Sequence, residues 1–418
     1  MFGALWVKLL LSLVFVLSVA TDLQASTYSV LEKVKEAKNV LAPYQPRFKL
    51  LYTNAPKTKK KRTQKKIPYA LEREVALIGL NMKDGTLRRF DFSETVTLDP
   101  KKRPKVTPPQ VIASNDECAV IWRGGSRWGY KRNLLLDCQG QYFVVLRIMM
   151  PSYRSEPTII TGQKSGKRKC VSGPKQIITG AYSPYAPELY QKDLVREGRL
   201  YLESVILKAL QQLSAAYVRS KTPQEEYLSE TASLELLQAL LINEHMDSEE
   251  FLAALSVKPL VESYWVEIAL NKEGTHGLSV SPADAVGIAQ FICPSYAEDL
   301  TAFPEAKLDA AFLRGMRDHV NAIKAMVVHM DLDAALRWSL KTRSFCGMLA
   351  ERMEECKAVS YFAGPKKLHA VVDARSQLWD TRGVITKGKR KFFPPQLGEQ
   401  ALIYLQKFRK IREYLLET

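Results

Sequence analysis

YLESVILKALQQLSAAY, Tyr201 to Tyr217, is the stretch on which the reading of the fold turns. Leu202, Val205, Ile206, Ala209, Leu210, Leu213, Ala216 and Tyr217 recur at spacings of three and four, which gathers them on one face of an α-helix. Similar stripes fill Leu234 to Leu241, Phe251 to Leu255, Ala310 to Met330 and Glu399 to Leu416, so the C-terminal half reads as an all-α domain. Toward the N-terminus the pattern changes. Val75 to Leu80, Leu87 to Leu98, Ala119 to Trp122, Leu134 to Leu136 and Tyr142 to Met150 are short β-rich runs. Asp84-Gly85 reads as a tight hairpin turn between two of them, and Gly124-Gly125-Ser126 and Gln139-Gly140-Gln141 mark further turns. Pro151 to Tyr185, rich in Pro, Gly, Ser and Lys, reads as a connector. A chain of 418 residues exceeds what one core usually serves. The expectation is an α+β multidomain protein: a short helical segment and basic linker over 26–66, a β-rich module over 67–165, a connector over 166–185, an all-α domain over 186–390 and a C-terminal helix over 391–418.

Residues 1–25 read as a secretory signal peptide. Lys8 precedes the apolar run LLLSLVFVLSVA, which ends in small side chains and is too short to span a bilayer comfortably. The expected location is periplasmic or secreted, a retained N-terminal membrane anchor being the alternative reading of the same run. Export permits disulfides, and six cysteines is an even count. Cys118 and Cys138 flank a hairpin-like segment and are the preferred pair. Cys346 and Cys356 lie about 15 Å apart if one helix joins them, too far for a bond. The net charge is +17, densest from Lys57 to Lys66. No aromatic residue interleaves with that run, so base stacking and a nucleic-acid partner have no support, and electrostatic contact with anionic envelope polymers fits better behind a signal sequence. The competing reading is a solvated linker. Five scattered histidines without ligand spacing predict no metal, and no cofactor is expected.

Candidate chemistry starts at Asp247, three residues before Glu250 in a capping-box arrangement that predicts a helix from Phe251 to Ser263, kinked by Pro259. Glu262 then emerges beside Leu260 and Val261, where poor solvation favours the neutral carboxyl and suits a general acid. Three blocks follow in order: KPLVES (Lys258 to Ser263), SPADAVGIAQFICP (Ser281 to Pro294) and AVSYFAGP (Ala358 to Pro365). Together they resemble the signature blocks of lytic transglycosylases of the goose-lysozyme-like superfamily, glycoside hydrolase family 23, most of all the membrane-bound type D and soluble (SLT) domains. The resemblance covers about Leu234 to Val371.

It implies an N-terminal β-rich module followed by an all-α lysozyme-like (SLT) domain, acting on peptidoglycan glycan strands. Glu262 would be the catalytic acid and base, with Ser263 beside it. Ser281 and Gln290 would line the sugar groove, Gly287 would let the backbone approach the sugar, and Tyr361 would hydrogen-bond the Glu carboxyl. The family is thought to work with a single Glu and no water, leaving a 1,6-anhydromuramoyl end. Three departures stand out. Glu262 lies nineteen residues before Ser281, about ten more than the family pattern, and Glu273 within that insertion is an alternative acid. Asp284 stands where the family has Gly, and Phe362 replaces the Asn of Tyr-Asn-Ala-Gly. A domain that binds glycan or scaffolds an envelope complex without cleaving it is the competing reading.

Overall fold

A computed structural model describes residues 28–54, 66–99, 108–124, 130, 132–162, 168–222, 227–277, 279–281, 283–375, 379–380, 385–387, 390–392 and 395–418. The expected signal peptide and all of the basic run before Lys66 lie outside them. Among the described residues the chain is a mixed α/β protein with an N-terminal sheet and C-terminal helices.

Helix α1 (Val30–Leu41), the first element among the described residues, buries Val30, Val34, Ala37 and Leu41, a three-four stripe. Ten strands follow: β1 (Phe48–Asn54), β2 (Lys66–Leu80), β3 (Leu87–Thr97), β4 (Gln110–Ser114), β5 (Ala119–Gly124), β6 (Asn133–Cys138), β7 (Gln141–Ser155), β8 (Thr158–Thr161), β9 (Arg168–Val171) and β10 (Lys175–Tyr182). The main sheet runs β1-β2-β7-β6-β5-β4, with β3 also on β2 and β10 also on β7. Every pairing in it is antiparallel. Asp84-Gly85 joins β2 to β3 as expected: Gly85 takes φ +75°, and Asp84 Oδ1 accepts the Thr86 N–H at 2.8 Å.

Period-two alternation along β2 and β7 makes two cores out of one sheet. Val75, Leu77, Phe143 and Val145 face a cluster with Trp122, Leu134 and Leu136. Ala76, Ile78, Leu80, Val144 and Leu146 face the other way, onto α1 and onto Val266, Ala269 and Leu270 of a later helix. The sheet is therefore welded to the helical half through an apolar layer. Cys118 and Cys138 are bonded across the β5–β6 pair, as their flanking positions led us to expect.

The stretch expected to be a connector is instead built structure. β10 pairs along β7 from Lys175 opposite Ser155 to Tyr182 opposite Ile148. β8 and β9 form a separate hairpin, and Cys170 on β9 is bonded to Cys293 in the helical half. Pro, Gly and Ser signal turns, yet here Pro151 lies inside β7 and Gly180 inside β10.

The helical half comprises α2 (Lys192–Ala215), α3 (Leu234–His245), α4 (Ser248–Ala253), α5 (Lys258–Asn271), α6 (Cys293–Ala302), α7 (Phe312–Arg317), α8 (His319–Leu332), α9 (Leu340–Cys346), α10 (Ala350–Ala363), α11 (Pro365–Arg375) and, after a small hairpin of β11 (Ile385–Lys387) and β12 (Arg390–Phe392), α12 (Glu399–Glu417). The stripe that decided the fold lies on α2, which buries Leu202, Val205, Ile206, Ala209 and Leu213. Gly198 lets α2 touch α5 backbone to backbone, since a Cβ there would sit 1.7 Å from the Trp265 carbonyl oxygen.

Three helix expectations are corrected. Asp247 does cap a helix, accepting the Glu249 and Glu250 N–H groups, but that helix stops at Ala253. Pro259 sits in the first turn of a new helix, where its missing N–H is harmless, so Glu262 lies near the start of α5 rather than at the end of a kinked helix. Ala310 to Met330 is divided at Asp318, whose side chain caps α8 through the Val320 and Asn321 N–H groups. No single helix joins Cys346 to Cys356 either: α9 ends at Cys346 and α10 begins at Ala350, so the chain folds back, the Cα atoms lie 6.1 Å apart and the two cysteines are bonded.

Candidate active site

The stretch from Val280 to Phe291 folds as a miniature ladder in which Val286 bridges both Val280 and Phe291. Its turns need unusual backbone. Gly287 takes φ +80°, and a Cβ there would lie 2.3 Å from the Met316 carbonyl oxygen. Asp284 at φ +60° and Gln290 at φ +47° are also left-handed, a conformation Asp tolerates better than most non-glycine residues. Ser281 Oγ accepts the Ala283 and Ala285 N–H groups at 3.2 and 3.1 Å, and Gln290 Nε2 donates to the Gly287 carbonyl at 2.7 Å. Both side chains thus brace the turn itself. Asp284 is exposed, and Ser263 is buried with its hydroxyl spent on the Leu260 carbonyl at 2.8 Å.

The expected pairing of Tyr361 with Glu262 is absent. The Tyr361 hydroxyl donates to the Ala289 carbonyl, at the tip of the turn. Glu262 instead accepts from Tyr190 at 2.9 Å and Tyr414 at 3.4 Å, with Lys258 Nζ at 3.9 Å. Glu273, the alternative acid, is exposed on a short 3₁₀ turn over Lys272–Gly274.

The carboxyl that does accompany Tyr361 and the turn is Glu244, which sequence reasoning passed over. It occupies the last turn of α3. Its Oε1 accepts the Tyr404 hydroxyl of α12 at 2.6 Å. Burial pushes the Glu244 carboxyl up to about 7, although the Tyr404 hydrogen bond and the Lys407 ammonium pull the other way. Burial, and then the Glu244 carboxyl, push the Tyr361 and Tyr404 hydroxyls well above the usual phenol range, so both are donors at neutral pH. Tyr264 is raised for the same first reason, then by Glu267 and Glu244.

Each wall of this site has a local cause. Lys407 holds the α3 terminus by donating to the Asn243 and Met246 carbonyls at 3.1 and 2.6 Å, a cation at the negative end of a helix. Asn243 Nδ2 returns a bond to the Tyr404 carbonyl at 3.0 Å. Phe362 stacks on Tyr404 with ring centroids 4.3 Å apart and 17° between planes. The next residue on α3, His245, reaches the Ile288 carbonyl at 2.8 Å. The Glu244 carboxyl, the Tyr361 hydroxyl and the Gly287–Gln290 turn are thereby brought to one place. The only sequence signal for Glu244 was its position: an acid ending an apolar helix before the block beginning at Ser281.

Among the described residues no group of three or more His, Cys, Asp and Glu side chains is placed to hold a metal ion, and no helix is long and apolar enough to cross a membrane. No family profile, no curated protein and no solved structure matches this chain.

Proposed function

We propose that this protein is an exported peptidoglycan lytic transglycosylase, cleaving the MurNAc–GlcNAc β-1,4 bond with Glu244 as its single acid and base. The observation that carries the proposal is the Glu244 carboxyl, raised to about 7 and bonded to Tyr404 beside the Gly287–Gln290 turn and Tyr361. A carboxyl of that affinity is half protonated near neutral pH, the condition for giving a proton in one step and taking one in the next. The resemblance in the second and third blocks, Ser281 to Pro294 and Ala358 to Pro365, supplies the substrate class; with Glu244 as the acid, the first block, KPLVES, no longer contributes to it. Three disulfides suit an oxidising compartment, in keeping with export.

In the proposed reaction the protonated Glu244 gives its proton to the glycosidic oxygen, and the bond from that oxygen to C1 of the muramoyl residue breaks. The substrate's N-acetyl group stabilises the developing cation. The C6 oxygen then bonds to C1 while its proton passes to the Glu244 carboxylate, restoring the acid. One GlcNAc end and one 1,6-anhydromuramoyl end result, with no water consumed. Tyr404 holds the carboxyl in place, and Tyr361 holds the turn that faces the sugar.

Digestion of purified sacculi followed by mass analysis tests this. Wild-type protein and the Glu262→Gln and Glu273→Gln variants should release anhydro-ended muropeptides, and Glu244→Gln should release none. Loss of release in Glu262→Gln with retention in Glu244→Gln would return the acid to α5. Sacculus binding without release by the wild type would favour a glycan-binding scaffold, a reading to which Phe362 stacked beside the acid lends support.

A further inference from the structure

Beside the acid, α3 carries a histidine held in an unusual frame. A carbonyl only accepts, so the 2.8 Å approach of His245 Nε2 to the Ile288 oxygen puts the proton on Nε2. The His245 ring lies flat on His276, centroids 3.4 Å apart and planes within 5°. His276 Nε2 meets Glu267 Oε1 at 3.1 Å, and its Nδ1 meets Ser279 Oγ at 3.2 Å. Tyr264 flanks the pair, with centroids 5.8 and 5.7 Å from the two histidines. Tyr130, from the sheet, packs on His276 at 4.9 Å and donates to the Gly274 carbonyl at 2.7 Å. The stack and the carboxyl beside His276 fix the plane of the His245 ring, which is thus held as an N–H donor to the turn.

Its acceptor lies in the turn. Ile288 and Ala289 are buried completely, and their consecutive carbonyls receive His245 from α3 and Tyr361 from α10. Glu244 and His245 are neighbours in the chain, so His245 ties the turn directly to the helix that carries the Glu244 carboxyl. Its supports, Glu267 and His276, come from the segment between Glu244 and Ser281.

We infer that His245, locked by His276 and Glu267, is a positioning residue that sets the Gly287–Gln290 turn against the Glu244 carboxyl, and so controls glycan affinity. The placement of the turn stands on the geometry alone; the effect on affinity rests on the reading of Glu244 as the acid.

The test uses the full chain with His245→Phe, which keeps a flat ring on His276 but no donor, and His245→Gln, which keeps an N–H. Amide hydrogen exchange is read at Val286 and Phe291, whose mutual bonds close the ladder at 2.9 and 3.1 Å. Sacculus digestion gives KM and kcat. His245→Phe should speed exchange there about tenfold and raise KM about tenfold with kcat little changed, and His245→Gln should restore both. Should His245→Phe fail to fold, Glu267→Gln reads the same lock, with exchange about threefold faster expected. Exchange equal to wild type in the folded variant overturns the inference, as does equal damage from Gln and Phe. If the wild type releases no muropeptide, the proposed activity fails and the exchange rates alone decide whether His245 positions the turn.

Discussion

Replacing Glu244 by Gln separates a buried acid from an ordinary surface carboxylate by its effect on stability. The carboxyl is moved from the usual 4.5 to about 7, chiefly by burial. Each tenfold change in proton affinity is worth about 1.4 kcal/mol, so once the group is ionised in both states the native form is disfavoured by ~3 kcal/mol. The sign follows from proton counts. Between about 4.5 and about 7 the native state binds more protons than the unfolded chain, so the stability from this group is complete below 4.5 and is lost as pH rises through about 7. Gln is neutral throughout and keeps an oxygen for the Tyr404 hydroxyl. Urea unfolding at several values from pH 4.5 to 8 should therefore show the variant little different from wild type at the acid end and more stable by ~3 kcal/mol at the alkaline end. Other titrating groups are common to both proteins and cancel in the difference. A difference that stays flat with pH, or favours wild type at pH 8, would refute the desolvated acid and with it the argument for Glu244.

Tyr404→Phe removes a hydrogen bond that stabilises the ionised carboxyl, so the alkaline limb of the sacculus-digestion pH profile should move up by roughly one pH unit; Tyr414→Phe, whose partner is Glu262, should leave it in place. Gly198→Ala forces a Cβ to within 1.7 Å of the Trp265 carbonyl. Backbone cannot swing aside, so overpacking of ~3 kcal/mol should outweigh the ~1 kcal/mol gained by helix propensity, and an unchanged or higher urea midpoint would contradict the close α2–α5 contact. Replacing Cys170 and Cys293 together by Ser opens a cross-link between residues 123 apart, which the chain-entropy account values at ~4–5 kcal/mol. Limited proteolysis at the β8–β9 hairpin should then proceed at a rate the intact protein never shows, and equal cleavage would mean the bond does not hold the hairpin down.

What could be read from the sequence was whatever a residue type dictates locally. Gly287 announced a close backbone approach because it lacks a Cβ, although the neighbour seen there is the Met316 carbonyl, and the stripe of α2 announced a helix because only that period buries those side chains together. Asp84-Gly85 gave the β2–β3 hairpin for the same kind of reason. The acid could not be found that way. A carboxyl becomes a proton store through burial, and the group beside Glu244 that sets its pose, Tyr404, is 160 residues further along the chain. Glu262 was expected at the end of a kinked helix beside Leu260 and Val261, and its side chain is indeed only 14 % exposed, but it lies near the start of α5 against Tyr190 and Tyr414 rather than Tyr361. The bond between Cys346 and Cys356 was dismissed on an assumed helix, and Gly347 to Leu349 break it.

Helix α12 shows why one of two tyrosine-bonded carboxyls is the better acid. Tyr404, Lys407 and Tyr414 are spaced three and seven residues apart, so the last two share a face about two turns apart. The same helix thus offers a phenol to Glu244 at one end and to Glu262 at the other. Both carboxyls are half-buried, and what differs is how far their flanking groups stand in water. Tyr404 is 3 % exposed and roofed by Phe362, and Lys407 beside it is spent on the α3 carbonyls. At the far end the second phenol on the carboxyl, Tyr190, is 41 % exposed, and Lys258 stands in solvent. A hydroxyl donor holds a carboxyl in place in either setting, but only exclusion of water makes the carboxyl keep its proton near neutrality. How α12 closes over α3 therefore decides whether Glu244 keeps its proton, and the 36 residues between Glu244 and Ser281 fold back to set His276 and Glu267 against His245.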